Sequence, residues 1–96
     1  MHQHGSGHMD EISKLQAEID DIDRKLIDLL RERFIRSREI GTIKRRENLP
    51  SFDPARAGSV RQRFVEKCVE VGLDAGMADR LISLLVEQVI VERAQR

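Results

Sequence analysis

The stretch ISKLQAEIDDIDRKLIDLL, residues 12–30, decides the fold. Its apolar residues Ile12, Leu15, Ile19, Ile22, Leu26 and Leu29 recur in alternating steps of three and four, and the rhythm resumes at Ile40 and Ile43. With about 3.6 residues to a turn, that spacing gathers them into one seam along an amphipathic helix. No Pro or Gly interrupts the run before Gly41, so the helix is predicted from Asp10 or Glu11 to about Arg46. At about 1.5 Å per residue it would be about 50 Å long, whereas a compact chain of this size has a radius of gyration of about 12 Å. The rest of the chain is too short to cover such a seam. A second copy is expected to cover it, in an intertwined homodimer.

Working outward, residues 47–53 (ENLPSFD) predict a turn, because Pro50 lacks an amide donor and Asn48 favours chain reversal. Asp53-Pro54 reads as a helix N-cap followed by Pro at the first helical position. The second helix carries the stripe Ala57, Val60, Phe64, Cys68 and Val71 and is ended by Gly72. Asp74 caps a third helix that runs to about Ala94. Nothing alternates with period two over a useful length, so the predicted fold is all-α, with three helices per chain and one very long N-terminal helix.

Composition narrows the function. At 96 residues, the chain suits one small domain and is too short for a two-domain or Rossmann-type enzyme. The 17 Lys and Arg are balanced by 17 Asp and Glu, without the basic excess of a nucleic-acid binder. No apolar run reaches the roughly 20 residues of a membrane span, so neither membrane nor nucleic acid is an expected partner, and a cytoplasmic protein is expected. The lone Cys68 has no second cysteine for an internal disulfide. Residues 1–9, MHQHGSGHM, read as an expression tag and cloning scar preceding a domain at 10–96. That reading removes His2, His4 and His8, and with them every histidine. What remains offers no zinc site, no Ser-His or Cys-His pair and no imidazole base. Any chemistry must rest on Arg, Lys, carboxylates and shape, with no metal and no cofactor expected.

Charge is segregated along the first helix. Residues 10–30 hold seven acids against three bases, and residues 31–46 hold seven bases against two acids. Much of this suits the helix macrodipole. Arg33 is different, because it takes the seam position after Leu29, where the pattern calls for an apolar side chain. A guanidinium there needs an anion, either an acid of another helix or a ligand. Lys44 lies about three turns further on nearly the same face, with the small residues Ser37 and Gly41 between. Two cations over a small-residue floor suit a compact anion, such as a carboxylate. Arg56, in the first turn of the second helix, is poorly placed for the macrodipole unless it too serves an anion.

The residues quoted so far resemble the all-helical chorismate mutases, which convert chorismate to prephenate. The resemblance covers about Leu15 to Arg93 and rests on EIDDIDRKLIDLLRER (18–33), IGTIK (40–44), the P-x-x-DPAR turn (50–56) and GLDA (72–75). It implies an interlocked dimer with two equivalent sites, each built from both chains, and a small dicarboxylate substrate. By the same resemblance, Arg33 grips a substrate carboxylate, Lys44 donates to the ether oxygen, Asp53 lies near the ring hydroxyl, and Arg56 supports carboxylate binding. Four positions depart from the family pattern. Gln16 replaces an arginine contributed by the partner chain, and Ala57 replaces the glutamate that binds the ring hydroxyl. Val89 stands where a small polar residue is common, and Arg93 where a Gln or Glu faces the ether oxygen.

The rearrangement is unimolecular and pericyclic, which suits a site without histidine. A catalyst holds the substrate in its compact chair-like conformer and places donors where negative charge grows on the ether oxygen. Lys44 is the natural donor, and Arg93, permanently charged, is expected to take over either the ether contact or the carboxylate contact given up at Gln16. Ala57 leaves two further readings open. One is a sibling enzyme, an isochorismate-pyruvate lyase or a mutase of amino-substituted chorismate. The other is a non-catalytic helical dimer that binds a metabolite or another enzyme.

Overall fold

The structure is a computed structural model that describes residues 3–95. Its elements are α1 (Gln3–Arg46), α2 (Pro54–Glu70) and α3 (Ala75–Ala94), with no strand among the described residues. No helix among them is long and apolar enough to cross a membrane. The chain divides into two units, residues 1–36 and residues 37–96.

The first unit is helix throughout its described length. The expected start at Asp10 or Glu11 is corrected to Gln3. Residues 3–9 contain no Pro, and adding residues to an existing helix is far easier than nucleating one, so the helix continues past the end of its apolar pattern. The seam is bare within the chain, from Ile12 and Leu26 at 51% exposed to Leu29 at 62%. Side-chain pairs here are local: Arg24 with Asp21, and Arg36 with Glu32 at 3.6 Å.

The second unit opens with the C-terminal end of α1. Asn48 takes a left-handed φ of 58°, while the Leu49 amide reaches back to the Lys44 carbonyl at 2.8 Å and the Asn48 amide to Arg45 at 3.3 Å. These bonds cap the last carbonyls of the helix and reverse the chain. Asp53 then caps α2, its Oδ1 accepting from the Arg56 amide at 3.2 Å, with Pro54 in the first turn. α2 ends at Glu70, and Gly72 just beyond it, with a φ of 87°, allows Leu73 to donate to Cys68 at 2.9 Å. Asp74 caps α3 by accepting from the Met77 amide at 2.8 Å.

α2 and α3 pack on one another. Ala78 and Ile82 are fully buried, and Arg61 forks onto Asp79 with contacts of 2.8 and 3.2 Å. The predicted α2 stripe is half-buried from Ala57 to Cys68, so the Cys68 thiol is less enclosed than its apolar neighbours imply. Val71 follows the helix and is 75% exposed. α3 is apolar on more than its packed face, since Leu81, Leu84 and Val91 are exposed.

Candidate functional site

Burial separates the cations. Among the described residues, Arg33, Lys44 and Arg93 are the Lys and Arg residues that are not exposed, and all three were singled out by the sequence. None of the three pairs with a carboxylate among those residues, whereas the exposed Arg24, Arg36, Arg38, Arg46 and Arg61 all do. A half-buried cation has lost part of its hydration, and without a protein acid beside it the site favours an incoming anion. The ion-pair alternative for Arg33 is therefore not realised among the described residues. Arg33 takes the seam position after Leu29, and Lys44 sits in the last turn of α1, its carbonyl held by the cap at Leu49.

Arg93 is engaged differently. Its Nη1 donates to the Ser51 carbonyl at 2.6 Å, and its Nη2 donates to the Ser37 carbonyl at 3.3 Å and the Ser37 hydroxyl at 3.4 Å. Its Nε–H is buried without a partner and lies over Gly41, where an added Cβ would stand 3.5 Å away. Beside it, Arg38 forks onto Glu92 at 3.2 and 3.3 Å, and Gln88 donates to the same carboxylate at 3.3 Å. Sequence reasoning missed this Arg38–Glu92 pair. Neither residue interrupts an apolar pattern, so nothing along the chain marks it.

A small, open hollow lies here, lined by Ser37, Arg38, Gly41, Arg45, Val89, Glu92 and Arg93. Ser37 and Gly41, read from the sequence as a floor between Arg33 and Lys44, are both in its lining, and Gly41 is buried. Val89 and Arg93 join it, while Lys44, Asp53 and Arg56 are not part of its lining. Asp53 and Arg56 are exposed at the start of α2, joined through the cap bond. Gln16 and Arg33 lie in the first unit, with Gln16 exposed. Ala57 is half-buried one residue after Arg56. Among the described residues no cluster of His, Cys, Asp and Glu is suited to a metal ion.

The chain is 25% identical over 79 residues to a chorismate mutase of Methanocaldococcus jannaschii, covering 82% of this chain and 80% of that one. It is 28% identical over 78 residues to a 4-amino-4-deoxychorismate mutase of Streptomyces venezuelae, covering 81% and 76%. With a bifunctional chorismate mutase/prephenate dehydratase of Aquifex aeolicus it shares 36% identity over 63 residues, 66% of this chain and 17% of that longer protein. The family described as chorismate mutase type II matches residues 15–93, and the chain belongs to that family.

Proposed function

We propose that this protein is an isomerase that rearranges chorismate to prephenate, a step of aromatic amino acid biosynthesis. One observation carries the reading: the half-buried cations Arg33 and Lys44 have no protein acid to neutralise them, inside a family whose substrate is a dicarboxylate. In this reading Arg33 and Arg56 hold carboxylates. Lys44 donates to the ether oxygen as its bond to the ring breaks, where one preorganised donor is worth about 2.7–4 kcal/mol. Asp53 meets the ring hydroxyl, its Oδ1 already oriented by the Arg56 amide. The reaction needs no nucleophile, proton carrier, metal or cofactor, because bond making and breaking occur within one molecule.

The working unit is a homodimer with sites shared between chains, Gln16 entering from the partner. One observation supports it: the bare seam from Ile12 to Leu29. Residues 10–96 form the mutase domain behind a nine-residue tag, and the setting is the cytoplasm, where the single Cys68 stays reduced.

A second reading is favoured by Ala57 together with the Streptomyces venezuelae relative. Without a carboxylate at position 57, the site loses an acceptor for the ring hydroxyl and discriminates less against an amino group there. The test is the loss of chorismate absorbance with product identification, run beside isochorismate and 4-amino-4-deoxychorismate. Prephenate as the main product is expected. Inactivity on all three substrates would leave a binding protein.

A further inference from the structure

We infer that Arg93 is a positioning residue, which straps the loop between α1 and α2 onto α1 and so sets where Asp53 stands. One guanidinium joins three segments: the last turn of α3, the Ser37 turn of α1, and the loop at Ser51. Among the described residues, the 2.6 Å contact to the Ser51 carbonyl is the one hydrogen bond that residues 50–52 make. The loop is tied at its start by Leu49 to Lys44 and at its end by the Asp53 cap. Between these ties Pro50 has no amide to donate, and Phe52 is 40% exposed. Without Arg93 the middle of the loop has no fastening.

The choice of residue follows from the geometry. A short contact from a charged donor to a neutral carbonyl is among the stronger hydrogen bonds, and a planar fork spreads its donors over separate nitrogens while a lysine gathers them on one. Gly41 presents no side chain beneath the guanidinium, whose Nε lies 3.5 Å from where a Cβ would stand. Both terminal nitrogens are thereby committed to backbone, two residues before Asp53 on one side and four before Gly41 on the other. The role differs from donation to the substrate, because both terminal nitrogens already hold protein oxygens.

This inference rests on the reading of Asp53 as a ground-state contact to substrate, and its test has one arm that needs no activity. In Arg93→Met, the backbone ¹⁵N order parameters of Ser51 and Phe52 should fall from the rigid range of about 0.85 to below about 0.6, while those of α2 and α3 stay high. KM should rise about tenfold with kcat within about threefold, because binding is loosened in ground and transition states alike. Arg93→Lys, with one donor head, should recover part of both effects and also serves if the Met variant folds poorly. Unchanged order at Ser51 and Phe52 overturns the strap. A loosened loop with unchanged KM overturns the positioning role. A fall in kcat of about 100-fold at constant KM would make Arg93 a donor to the transition state instead. If the parent proves inactive on all substrates, the order parameters still decide whether the strap exists.

Discussion

The two units of this chain satisfy their apolar residues in opposite ways. Residues 37–96 carry their own enclosure: Ala78 and Ile82 vanish from solvent, Arg61 ties α2 to α3, and each turn is closed by a cap. Residues 12–29 have a more regular apolar pattern and enclose nothing, every seam residue being more than half exposed. The difference shows that periodicity reports a helix face without saying what covers it. Where the chain has no further helix to offer, the regular seam becomes a specification for a partner, and here a second copy is the economical one.

Charging the seam should produce the largest effect. Ile22→Asp with Leu26→Asp removes two apolar side chains, each worth about 1.5–3 kcal/mol when buried, and places carboxylates without partners in a dry interface. Light scattering at micromolar concentration should give twice the 11.1 kDa chain mass for the parent and a single chain mass, with reduced helix content, for the variant. A monomeric parent with full helicity would break the comparison, since the seam would then need no partner.

Next in size is Lys44→Ala. Turnover should fall about 100-fold or more if the ammonium faces the developing oxyanion, while helix content is retained because Ala is the better helix former. Unchanged turnover in a folded variant would take Lys44 out of the mechanism.

Arg33→Met sharpens the contrast between seam and site. Arg33 is half-buried in the seam rhythm and pairs with no acid among the described residues. Replacing it with an apolar side chain of similar length should abolish substrate binding in titration calorimetry and leave the melting temperature equal or higher. Marked destabilisation would mean that an acid of the partner chain holds Arg33 in the dimer.

Most of the fold was legible because its signals are local. Asp53-Pro54, Gly72 and Asp74 act within one turn of their own positions, and α2 and α3 begin and end where those residues direct. The start of α1 was not legible, since residues 3–9 carry no apolar rhythm and include Gly5 and Gly7, poor helix formers that the helix nonetheless runs through. Arg33 and Lys44 announced themselves as cations on an apolar face, and both are half-buried. The anchoring of Arg93 was hidden, because its partners are backbone carbonyls 42 and 56 residues away and every residue type has a carbonyl. The Arg38–Glu92 fork was hidden by the same distance along the chain.

The smallest effect concerns the tie between α2 and α3 within the self-enclosed unit. The two-point hydrogen bond from Arg61 holds the Asp79 carboxyl below the usual carboxylate range. Partial desolvation opposes that shift, and the positive charges of Arg61 and Arg80 add to it. The sign follows from proton linkage. A carboxyl that binds its proton less readily when folded contributes stability above its unfolded value of about 3.9, and that contribution disappears as the pH falls through the lower folded value. Asp79→Asn should therefore melt slightly below the parent at pH 7, and the two curves should converge as the pH is lowered from about 4 toward 2. Salt should narrow the gap at pH 7, because the pair is open to solvent. A gap that persists unchanged to pH 2 would show that residue 79 acts through shape rather than charge. The enclosure of this unit would then rest on Ala78, Ile82 and the helix caps alone.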